Sequence, residues 1–143
     1  MFKSYIFWVK TASVFQVLTG LIHSLSLFRD MQGQNETEEK MIDLLTGYKM
    51  DMGAGFHHSM MDLFLALSSC FTFLYLLGGI NNFYLLKRLE PTALKGYLLI
   101  NIVIFGLCFV VMLFLTFLPP IVLTGIVLIL LVISYLSAPS KAV

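Results

Sequence analysis

His23, His57, His58 and Asp62 are the side chains in this sequence best able to do chemistry, and all four stand in or beside long apolar stretches. A charge at the centre of a hydrocarbon layer costs about 2.5 to 3.5 kcal/mol on insertion scales, so such a group needs a partner or a use. His58 and Asp62 are four apart and would share a helix face continuing through Ala66 and Ser69. Upstream, Ala12, Gln16, Thr19 and His23 make a comparable stripe of small and polar residues. With Gln16 and Ser68 near mid-depth, His23 and Asp62 each lie about 10 Å outward at 1.5 Å per residue. Two antiparallel helices would then bring together a polar cluster of His23, His58, Asp62 and Gln16.

Such a cluster has several uses. A hydrogen-bonded latch between His23 and Asp62 would pin the two helices, because intramembrane polar groups need partners whether or not they react. A proton or quinone site would employ His23 and Asp62 as exchangeable proton carriers. Metal binding would draw on His23, His57 and His58, but adjacent histidines on a helix point about 100° apart, which leaves at most three ligands with Asp62 included. Haem would need an inward histidine on each of two helices, and His23 with His58 is the available pair, at unequal depths. Serine–histidine–acid catalysis has only the nearby Ser59 to support it. No nucleophile constellation or phosphate loop is legible, so the expectation is a chain that is not an enzyme and carries no cofactor.

The elements that must position these residues follow from composition. The 143 residues are 59% hydrophobic and 12% charged, with a net charge of +1 and a mean hydropathy of +0.91. A soluble domain so composed would lack polar surface, so the bilayer is the solvent and the expected fold is an all-α, polytopic four-helix transmembrane bundle in a single domain. The near-neutral charge offers no basic patch for nucleic acid. Spans are read at about Tyr5–Phe28, Phe56–Ile80, Leu94–Phe117 and Pro120–Leu136. Tyr5, Phe7 and Trp8 anchor the first at an interface, and Lys10 snorkels back to the same side. That span carries Lys10, Gln16 and His23 and is too long for a signal peptide, so it reads as a retained helix. Gly78-Gly79 and Asn81-Asn82 are read as weakening or ending the second span, and Pro119-Pro120 as separating the last two into a tight hairpin. Cys70 and Cys108 read as buried small apolar residues without a disulfide.

The loop 29–55 is the one sizeable polar segment. Asn35 followed by Glu38 suggests a capping box, and Met41, Leu44, Leu45 and Tyr48 repeat at helical spacing, so a short amphipathic helix is expected on the membrane surface. Gly53-Ala54-Gly55 suggests a sharp or flexible turn before the second span. Asn35-Glu36-Thr37 is also a glycosylation sequon, relevant only in a eukaryotic secretory pathway. Lys3, Lys10, Lys87, Arg88, Lys95 and Lys141 lie on the side of the termini, against Arg29, Lys40 and Lys49 opposite. That excess places both termini in the cytoplasm.

The run Asn35-Glu36-Thr37-Glu38, the Gly53-Ala54-Gly55 turn and Met60-Met61-Asp62-Leu63-Phe64, after a first helix with Gly20 and His23, resemble an uncharacterised bacterial family of small four-helix membrane proteins. The resemblance implies the bacterial cytoplasmic membrane and supplies no activity or site residue. Size and helix count are also similar to DoxX-like proteins, an analogy of fold alone. The expected function is a non-enzymatic accessory or structural subunit, in contact with lipid and with a larger membrane complex or further copies of itself. The alternative is a small proton- or redox-coupled carrier of quinone, haem or metal.

Overall fold

The computed structural model describes residues 2–28 and 31–139, with the side chains of residues 2–4 left out. Arg29, Asp30 and Lys141, used above for span ends and orientation, lie outside the described residues, as does the side chain of Lys3. The elements in chain order are α1 (Phe2–Ser26), α2 (Glu36–Gly47), β1 (Lys49–Asp51), β2 (His57–Ser59), α3 (Met60–Leu86), α4 (Pro91–Leu115) and α5 (Leu118–Ser137). The fold is all-α apart from one short hairpin, and α1, α3, α4 and α5 are long and apolar enough to cross a membrane. At 1.5 Å per residue, even the shortest of them reaches the roughly 30 Å of a hydrocarbon core.

The chain divides into two compact units, residues 1–20 with 74–143 and residues 21–73. In the first, the early part of α1 and the later part of α3 join α4 and α5 around a core of Val9, Ala12, Tyr75, Leu94, Leu98, Phe105, Val127 and Leu131. The α4–α5 hairpin is closed near one end by Lys95, whose ammonium donates to the Ala138 carbonyl at 3.2 Å and lies 4.9 Å from the centre of the Tyr135 ring. Phe109 packs on Gly125, where an added Cβ would stand 3.1 Å from the ring. Pro91 opens α4, and Pro119 and Pro120 fall in the first turn of α5, where no intrahelical donor is needed.

The second span differs from its sequence reading at both ends. It starts at Met60 rather than Phe56, because residues 57–59 form β2 and pair with β1. It also runs through Gly78-Gly79 and Asn81-Asn82 to Leu86. The helix continues there, and Gly78, Gly79 and Asn82 form its contact with α1. A Cβ on Gly79 would stand 2.7 Å from Val17 Cγ2 and 2.8 Å from the Ser13 carbonyl, and one on Gly78 would stand 2.8 Å from Gln16 Nε2. Absent side chains let two membrane helices approach to backbone contact, which offsets the poor helix propensity of glycine. The third and fourth spans shift by a few residues, to Pro91–Leu115 and Leu118–Ser137.

The second unit holds the end of α1, the whole of α2, the hairpin and the start of α3. The cap forms, with its return bond one residue earlier than in a capping box: Asn35 Oδ1 accepts from the Thr37 and Glu38 amides at 3.1 and 3.0 Å, and Glu38 Oε2 accepts from the amide of Gln34, the residue before the cap, at 2.7 Å. No residue of α2 is buried. Ile42 and Leu45 form its more sheltered side; of the stripe read from spacing, Leu45 is half-buried while Met41, Leu44 and Tyr48 are exposed.

Candidate functional site

Polar side chains in and beside the spans form two settings, one in each unit. In the unit of residues 21–73, α3 begins with a reciprocal cap. The Ser59 amide donates to Asp62 Oδ2 at 2.9 Å, and the Asp62 amide donates to Ser59 Oγ at 3.1 Å. The two side chains thereby satisfy donors that the first turn of any helix leaves free. His58 Nδ1 stands 3.8 Å from the same Asp62 oxygen, and each of those two side chains is about half exposed. With Leu63, Leu65 and Ala66 they line an open groove of about 390 Å³.

His23 has different company. Its ring sits edge-on to Phe71 with centroids 4.9 Å apart and hydrogen-bonds to the Ser68 backbone, while Nε2 is buried with no protein partner. Phe71 is nine residues along α3 from Asp62, about 13 Å at the helical rise, so the matched depths read from sequence do not hold. His23 falls opposite Phe71 rather than Asp62. The shared helix face of His58 and Asp62 also changes in kind. His57 and His58 are successive residues of β2, pointing to opposite faces of a strand, and the His58–Asp62 approach spans the strand–helix junction.

Gln16, the fourth member of the expected cluster, belongs to the other setting. It is fully buried, and its Oε1 accepts from Asn82 Nδ2 at 2.7 Å across the α1–α3 contact. Tyr75 donates to Thr124 Oγ1 at 2.8 Å, joining α3 to α5, and its ring stands edge-on to Phe105 of α4 at 5.0 Å. Ser13 and Ser134 return their hydroxyls to carbonyls one turn back, and Asn101 donates to the Tyr97 carbonyl at 3.1 Å. Gln16 Nε2 and Asn82 Oδ1 are buried without a protein partner. Sequence reading missed Asn82 and the Tyr75–Thr124 pair. An amide facing the Gln16 stripe in an otherwise apolar run is the available signal, but beside Gly78-Gly79 it reads as a helix end.

Among the described residues, no three His, Cys, Asp or Glu side chains gather into a set that could hold a metal ion. His23 is thus separated from His57 and His58 as a ligand set. Cys70 is exposed and Cys108 half-buried, both as free thiols, so Cys70 is not the buried residue expected of it. No protein-family model, curated protein or solved structure matches this chain.

Proposed function

We propose that this protein is a non-enzymatic accessory subunit of a larger membrane complex, held in the bacterial cytoplasmic membrane with both termini inside. One observation carries the reading. Three polar pairs in and beside the spans are engaged in building the protein: Gln16 with Asn82, Tyr75 with Thr124, and, at the start of α3, Asp62 with Ser59. Outward, the spans carry apolar side chains such as Leu107, Phe114, Ile129 and Leu136, a surface suited to lipid and to neighbouring helices. The charge count and the resemblance to small bacterial membrane proteins support the orientation and compartment. The carrier reading draws on the half-exposed His58–Asp62 pair in its groove.

Native mass spectrometry of gently extracted membranes tests the assignment. The 16.1 kDa chain should emerge in a fixed ratio with a different, larger membrane protein. A stable monomer or homo-oligomer with no second chain refutes the accessory role. For topology, Glu39→Cys should react with an impermeant thiol reagent from outside and Arg88→Cys should not.

A further inference from the structure

The hairpin before α3 gathers sulfur and imidazole. Half of the chain's methionines, Met50, Met52, Met60 and Met61, fall in residues 50–61 together with His57 and His58. In the antiparallel register Met50 stands directly opposite His58, and Asp51 opposite His57. The pairing continues past the strands, since the Met52 amide donates to the Phe56 carbonyl at 2.9 Å. Gly53, Ala54 and Gly55 then close the loop in three successive left-handed conformations, φ 80°, 51° and 83°. The Phe56 amide donates to the Gly53 carbonyl at 3.0 Å, and the Gly53 amide to Asp51 Oδ1 at 2.9 Å.

Strand alternation decides which side chains share a face. Met50, Met52, Phe56 and His58 emerge on one side, with Asp51 and His57 on the other. The Phe56 and His58 rings, stacked at 6.2 Å and 22°, agree with that assignment. Directly opposed residues of an antiparallel pair have Cβ atoms about 4.5 to 5.5 Å apart, within reach of a common ion for side chains as long as methionine and histidine. The face therefore offers two neutral thioethers and one imidazole, and neither strand adds a carboxylate to it. Thioether sulfur prefers soft monovalent ions, whereas calcium and magnesium require oxygen.

The environment of His58 suits a ligand role. Asp62 lies on its Nδ1 side at 3.8 Å and is itself fixed by Ser59, which leaves Nε2 free to bind. A carboxylate behind a metal-binding imidazole sets its tautomer and raises its basicity. Met52 is 44% exposed, so an ion can enter from solvent.

We propose that the hairpin face formed by Met50, Met52 and His58 binds a soft monovalent metal ion, Cu(I) or Ag(I), with Asp62 as the positioning carboxylate. The site does not depend on the accessory role, and its test is separate. Full-length protein in detergent, carrying Cys70→Ser and Cys108→Ser so that thiols do not compete, is titrated with Ag(I) by calorimetry. It is also titrated anaerobically with Cu(I) against a chromophoric chelator. One ion should bind per chain. Met50→Leu/Met52→Leu, which keeps volume and apolar character, should weaken binding at least tenfold with an unchanged circular dichroism spectrum. Asp62→Asn, which can still cap α3, should weaken it about tenfold. Met31→Leu/Met41→Leu should have no effect. Should the hairpin variant fold poorly, X-ray absorption of the copper-loaded parent protein decides, with sulfur and nitrogen both expected as ligands. No bound ion, parental affinity in the Met50→Leu/Met52→Leu variant, Zn(II) bound as tightly as Ag(I), or a copper shell without sulfur would each overturn the proposal.

Discussion

Gly79→Ala adds one methyl group where α3 meets α1, and the structure gives the cost. The new Cβ would stand 2.7 Å from Val17 Cγ2, 2.8 Å from the Ser13 carbonyl and 3.2 Å from Gln16 Cβ. Carbon pairs prefer about 3.5 to 4.0 Å, so α1 must withdraw by about 1 Å. A valine is stiff at χ1, and the Ser13 carbonyl belongs to the helix backbone, so neither neighbour can yield alone. Withdrawal also stretches the 2.7 Å Asn82–Gln16 hydrogen bond. Overpacking of this kind costs about 1 to 3 kcal/mol, and alanine returns up to about 1 kcal/mol of helix propensity. A net loss of about 1 to 2 kcal/mol is expected. Reversible unfolding in mixed detergent and SDS micelles, followed by far-ultraviolet circular dichroism, measures it. Gly96→Ala is the control, because a Cβ there meets nothing within 4 Å, and it should be neutral or slightly stabilising. In a Val17→Ala background the Gly79→Ala penalty should shrink without vanishing, since the Ser13 carbonyl stays in place. A Gly79→Ala protein as stable as the parent would refute the close α1–α3 contact.

Asn82→Leu should destabilise by about 1 to 3 kcal/mol by stranding the Gln16 amide, and Gln16→Leu/Asn82→Leu should recover part of that loss in a double-mutant cycle. Tyr75→Phe should cost about 0.6 kcal/mol and at most about 1.7 kcal/mol, the average and maximum measured for interhelical hydrogen bonds in a membrane protein; Thr124→Val should add little once the Tyr75 hydroxyl is gone, and additive losses would show that the pair is uncoupled. At the start of α3, Asp62→Leu should cost about 0.5 to 2 kcal/mol and Asp62→Asn much less, because an amide oxygen can still accept from the Ser59 amide. Amide hydrogen exchange at Ser59 reports this directly, and equal exchange in both variants would remove the capping role.

Much of the architecture was legible without coordinates. Four apolar runs of span length can satisfy their backbone polar groups in lipid only as helices, so their number and class follow from composition and length. Asn35 and Glu38 announced the cap of α2, because that chemistry is local to four residues. The Pro119-Pro120 pair likewise placed the last turn near its true position. Tertiary structure decided what local pattern leaves open. Gly78-Gly79 and Asn81-Asn82 read as a helix end until α1 is seen against them, for glycine breaks a solitary helix but permits close approach of two. The depth of His23 relative to Asp62 depended on the axial offset between the end of α1 and the start of α3, which no helical period records. The partner of Met50 depended on strand register, which the Gly53-Ala54-Gly55 turn determines. A one-residue slip in it would carry Met50 and Met52 to the opposite face from His58.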